Sequence, residues 1–292
     1  MAASASPTVR RRRLAAELRR LRGMRTGGAV ARALGWSPAK ISRYELGQSS
    51  YPLDAVEKLL DFYEVTEPRR GQLLGLAVEA NERGWWEEYA DVLAPEFMEF
   101  IGLEAEADTV AHWQVGVVHG LLQTEDYARK LNAGYQSVIP TPPRILERLV
   151  RVRMIRQELL SRDPPLRLSA ILDEAVLRRK IGDRGLMRAQ LLHLAAAAEM
   201  PNVELRIMPL SNRETSLVAD SFTILSFGPQ DTDEADKLAD IVSTESVTSE
   251  LYVEGETGTY RYSLVFQGLL NASLSPADSQ HLIRQIANEL WA

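Results

Sequence analysis

The chain contains no cysteine. That excludes disulfides, thiol nucleophiles and every thiolate-built zinc site, and it fits a reducing cytoplasm. None of its apolar runs is long enough to cross a bilayer. The basic opening, MAASASPTVRRRR, is not followed by an apolar stretch, so it does not read as a secretory signal. Histidine is scarce. His112, His119, His193 and His281 fall in no metal-binding spacing. GxSxG, P-loop and GxGxxG motifs are missing too. We therefore expect no catalytic residue, no metal site and no cofactor. His112 and His119, seven residues apart, are placed to share a helix face as surface or hydrogen-bonded side chains. Asp173-Glu174 reads as a helix cap and not as an acid/base pair. Trp85 and Trp86 read as packing and not as a ligand cage.

What is present is ordinary in amount and uneven in placement. A chain of 292 residues, 45% hydrophobic and 25% charged, suits a globular protein of two domains. Its net charge of −6 conceals a division. Residues 1–50 hold eleven basic and two acidic side chains, a net of +9, which leaves −15 for the rest. A basic head on an acidic body points to a polyanion partner for the head.

Within that head lies TGGAVARALGWSPAKISRYELG, residues 26–47. Thr26 caps a helix carrying Val30, Ala33 and Leu34 on one face. Gly35 ends it, since glycine takes a left-handed turn without steric cost. Ser37 caps a second helix, with Pro38 at its first position, where a missing N–H costs nothing. Ile41 and Tyr44 point inward; Lys40, Ser42 and Arg43 face outward. Two helices, a glycine turn and a basic outer face describe a helix-turn-helix, with double-stranded DNA as its ligand.

Around this motif the periodicity predicts a disordered tail over 1–9 and a five-helix, all-α domain over 10–80. Its first helix, about 10–22, carries Leu14, Leu18 and Leu21. An aromatic docked connection follows over 81–100, with Trp85, Trp86, Tyr89, Phe97 and Phe100. Residues 101–292 form a larger α+β domain. Helices are expected near 103–131, 144–161, 183–199, 258–272 and 276–290. Strands are expected near 166–172, 203–208, 222–227 and within 241–253. Arg10–Arg13 reads either as an arm tracking DNA or as a solvated basic run.

The motif resembles the helix-turn-helix of phage-repressor-like (xenobiotic-response-element) regulators. That resemblance implies base contacts from Ser37, Pro38, Ala39 and Arg43 and a phosphate contact from Lys40, with Thr26 and Ser42 on the same DNA-binding surface. It also implies a structural ion pair between Arg20 and Glu45. Gly27 stands where the class usually has a phosphate-anchoring glutamine, which implies weaker intrinsic affinity. Residues 81–290 resemble the DUF5753 domain of actinobacterial regulators. The residues that carry this include Gly84-Trp85-Trp86, Gly102-Leu103-Glu104, GLLQTEDYA from Gly120 to Ala128, Arg156-Gln157 and Gln190-Leu191. The resemblance implies a cytoplasmic, nucleoid-associated transcription regulator, whose gene often neighbours one for a small acidic DUF397-like partner protein. Two roles for the second domain stay open. It sets the geometry of a homodimer in response to a small-molecule ligand or protein, or it holds the small partner in an antitoxin-like circuit with DNA binding for autoregulation.

Overall fold

Helix α1 (Pro7–Arg22) opens on a proline, whose lost N–H would be unpaired in the first turn anyway. Pro7 to Val9 thus belong to this helix and not to the expected tail, and Val9 is fully buried. The computed structural model describes residues 7–134, 140–211, 220–228, 239–245 and 250–292; the first six residues of the expected tail lie outside these. The chain divides between Glu88 and Tyr89 into two units.

In the first unit α1 is followed by α2 (Gly27–Leu34), α3 (Pro38–Glu45), α4 (Leu53–Phe62) and α5 (Arg69–Ala80). Leu14 and Leu18 of α1, Val30 and Ala31 of α2, and Ile41 and Tyr44 of α3 share one core with Val56, Leu59, Leu60, Leu73 and Ala77. Each buried Leu or Val contributes about 1.5–3 kcal/mol. Ala33, expected on the inner face of α2, is exposed. The inner arc of that short helix runs through 30, 31 and 34, so Ala31 takes the buried place.

A 3₁₀ turn, Trp85–Tyr89, spans the division. The expected connection over 81–100 is shared out. Trp85 and Trp86 meet edge-on with ring centroids 5.8 Å apart. Phe97 and Phe100 stack on α6 (Pro95–Glu106) of the second unit. That unit continues with β1 (Thr109–Gln114), α7 (Glu125–Gly134), α8 (Pro143–Gln157), β2 (Arg167–Asp173), α9 (Glu174–Arg178) and α10 (Arg184–Ala197). Then come β3 (Val203–Met208), β4 (Phe222–Ser226), β5 (Ile241–Glu245), β6 (Glu250–Val253), α11 (Glu256–Ala272) and α12 (Pro276–Glu289). The six strands form one sheet in the order β3-β2-β1-β4-β5-β6. β1, β2 and β3 are parallel, and β4, β5 and β6 join antiparallel. One face packs Trp113, Ile171, Phe222 and Val242 with Phe266 and Leu269 of α11.

The helix expected over 103–131 is broken by β1, which lies inside the sheet. Val110 and His112 point to one face and Trp113 to the other, and all three are buried. A strand covered on both faces lacks the polar alternation that would reveal it.

Candidate nucleic-acid interface

The helix-turn-helix is fixed by its caps. Thr26 Oγ1 accepts the Ala29 N–H at 3.2 Å, and Ser37 Oγ accepts the Lys40 N–H at 3.3 Å. Gly35 sits at φ 66°, a left-handed conformation that lets the Trp36 N–H reach back to the Ala31 carbonyl at 2.8 Å. Thr26, Ser37, Pro38, Ala39, Ser42 and Arg43 are exposed, and Lys40 is half-buried. Ile41 and Tyr44 face the core. Pro38, Ala39, Ser42 and Arg43 therefore share the outer side of α3, spaced at one helical turn.

Charge is sorted around this surface. Arg10 pairs with Glu79 at 3.3 Å, Arg69 with Glu17 at 2.8 Å and Arg70 with Asp61 at 2.6 Å. No ion pair among the described residues uses Arg25, Arg32, Lys40 or Arg43. Arg10, Arg20, Arg22, Arg69 and Arg70 of α1 and α5 are thus paired with carboxylates, while the cations of α2, α3 and Arg25 before them are in no ion pair among the described residues.

Two expectations are corrected here. Glu45 pairs with Arg22, at 2.6 Å, and not with Arg20. Arg22 lies one turn beyond Leu18 and continues the inward stripe of Leu14 and Leu18, so it reaches the end of α3. Arg20 points away, 68% exposed, and bonds Glu17 at 2.9 Å. Nor do Arg10–Arg13 form an arm. They lie within α1, where Arg10 meets Glu79 and Glu82 and the Arg11 guanidinium donates to the Ala80 carbonyl at 2.8 Å.

Tyr51 holds α3 to the core, a role its position before Pro52 does not advertise. Its ring is fully buried, and its hydroxyl donates to the Tyr44 carbonyl at 2.7 Å. Asn81 pairs with both the N–H and the carbonyl of Tyr51, at 2.9 and 2.7 Å. Burial pushes the Tyr51 hydroxyl well above the usual phenol range.

The second unit contains a different polar centre, and it is closed. Glu104 and Arg156 are 0% and 5% exposed. They join through two hydrogen bonds of 2.7 and 2.8 Å. The guanidinium also lies 5.2 and 5.3 Å from the ring centroids of Phe97 and Phe100. The GLLQT segment is held by its backbone. Gln157 donates to the carbonyls of Gly120 and Gln123, at 3.0 and 2.7 Å. Gln190 donates to the Leu122 carbonyl and accepts the Thr124 N–H, both at 2.7 Å. Sequence reasoning gave these motif residues no role. A glutamine clamping loop backbone leaves no periodic signal.

His112 and His119 do come together, but not on one helix. His112 stands on β1 and His119 caps a 3₁₀ turn, with ring centroids 4.0 Å apart. His112 Nδ1 lies 2.8 Å from Thr223 Oγ1, and its buried Nε2 has no hydrogen-bond partner among the described residues. Burial, reinforced by the Arg156 charge, depresses His112 to about 3. Burial, then His112, Arg156 and Arg153, hold His119 well below the ordinary value. Both rings are therefore neutral near pH 7. Asp173 caps α9 by accepting the Ala175 N–H at 2.8 Å, and Glu174 bonds Arg178 and the Leu210 N–H.

Five helices, a glycine turn and an outward, un-neutralised second motif helix define a helix-turn-helix regulator of the DNA-binding class. Residues 13–73 match the family described as helix-turn-helix domain. Residues 97–285 match the domain of unknown function DUF5753. That match spans more than half of the chain, and the protein belongs to the DUF5753 family. No curated protein and no solved structure matches the chain.

Proposed function

We propose that the protein is a sequence-specific transcriptional regulator that lays α3 in the major groove of its operator. What carries this is the outer side of α3, exposed, capped at its start and bearing Arg43 with no carboxylate partner among the described residues. Arg43 can pair with guanine O6 and N7, while Pro38 and Ala39 offer apolar contact to a thymine methyl. An eight-residue helix is about 12 Å long and spans about four base pairs at 3.4 Å each. So short a site carries little information, which favours a homodimer on two half-sites. The second unit then supplies the regulatory input, by ligand, partner protein or dimer contact, and is assigned no reaction.

The test is a titration of labelled duplex pools at several salt concentrations. We expect binding at low ionic strength that weakens steeply with salt, the log–log slope being about −0.9 per phosphate contacted. A chain that binds no duplex at low salt overturns the proposal.

A further inference from the structure

Among the outward residues of α3, Lys40 differs in being half-buried. Its ammonium lies 3.7 Å from the centroid of the Trp36 ring and 5.7 Å from that of Tyr44. Trp36 is fixed in turn. Its backbone N–H is bonded to Ala31, and its ring meets Tyr44 edge-on with centroids 6.1 Å apart. Tyr44 is buried and packs on Tyr51 at 5.3 Å. A column of three rings thus runs from the core to the lysine. No ion pair among the described residues uses Lys40. Its charge is held against an aromatic face but not neutralised, and the N–H donors turned away from that face stay free for an anion.

We propose that Trp36 is a positioning residue for DNA binding: the indole holds the Lys40 ammonium at the edge of α3, ready for a backbone phosphate of the duplex. This rests on the DNA-binding function proposed above and adds to it a turn residue that reads no base. A lysine free in solvent loses its rotamers when it docks; here most of that ordering takes place on folding.

The experiment is an anisotropy titration of the full chain over a salt series, using a duplex that the wild type binds. K40M should reduce the magnitude of the salt slope by about 0.9, the loss of one phosphate contact. Trp36→Leu, with the lysine intact, should weaken binding on the order of threefold, whereas Trp36→Phe keeps an aromatic face and most of the affinity. Adding K40M to Trp36→Leu should cost less than K40M costs alone. Binding by Trp36→Leu equal to or tighter than wild type overturns the proposal, the tighter case meaning that the indole holds the lysine back. The chain has five lysines, so lysine-labelled NMR reads Lys40 without a variant. An upfield ring-current shift of its ε-CH₂ that persists with duplex supports the proposal, and an unshifted set of lysine signals overturns it, even where Trp36→Leu fails to fold. A wild type that binds no duplex removes the DNA-binding function itself, and that failure is recognised from the wild-type titration alone.

Discussion

Glu104 and Arg156 form the ion pair whose removal should tell most about the second unit. Both are buried, and two hydrogen bonds join them at 2.7 and 2.8 Å. Arg156→Met leaves a carboxylate in the interior with no counter-charge, which costs about 3–5 kcal/mol. Glu104→Gln leaves the guanidinium charged beside Phe97 and Phe100, at a similar cost. For a unit of this size such a loss lowers the melting temperature by roughly 10 °C. The double variant E104L/R156M removes both charges and should recover most of the deficit, because apolar replacement of a whole buried pair is often near neutral. Calorimetry of the full chain suits the question, since the two units can melt separately. Single variants within about 1 kcal/mol of wild type, or a double variant as unstable as the summed singles, would refute the reasoning.

Other consequences are open to simpler measurements. His112 and His119 titrate near 6.5 in an unfolded chain but are held lower in the fold, His112 at about 3. Above pH 6.5 both states bind the same protons at these rings and nothing changes. Below it the unfolded state takes up more, so stability should fall by about 1.4 kcal/mol per pH unit for each ring, down to about pH 3 for His112. Urea midpoints at pH 7 and 5.5 measure this, and His112→Leu should roughly halve the slope. Gln190→Leu strands the Leu122 carbonyl and the Thr124 N–H and should cost about 2–4 kcal/mol in chemical denaturation. In the first unit, Tyr51→Phe should lose about 1 kcal/mol by removing the hydroxyl's bond to the Tyr44 carbonyl, which keeps the Gly47 N–H at 3.3 Å. Arg22→Ala should destabilise that unit measurably more than Arg20→Ala, as thermal melts of the two variants would show.

The helix-turn-helix unit was largely legible because its signals are local. Caps at Thr26 and Ser37, the left-handed glycine at 35 and the proline at 38 act within one turn of themselves, and each falls where the sequence places it. What the sequence hid is set by partners distant in the chain. Arg22, not Arg20, meets Glu45 because rotation around α1 decides reach, and a shift of two positions carries a side chain to the opposite face. Tyr51 looks like punctuation before a proline, yet residues 44 and 81 make it a keystone. In the second unit the helices at 184–197, 256–272 and 276–289 follow their apolar periodicity. β1 escaped because a strand buried on both sides resembles a helix segment. The Glu104–Arg156 pair and the glutamine clamps escaped because hydrogen-bond partners 30 to 70 residues apart leave no trace in spacing.

Selection of bound duplexes from a random DNA pool, run on the wild type and on Arg43→Ala, bears most directly on what α3 does. The wild type should enrich a short half-site, repeated with two-fold symmetry, that contains a guanine. The variant should lose preference at that one position, at a cost of about 1–3 kcal/mol, and keep the rest of the site. Identical selections from both proteins, or no enrichment from the wild type, would contradict the placement of α3 in the major groove.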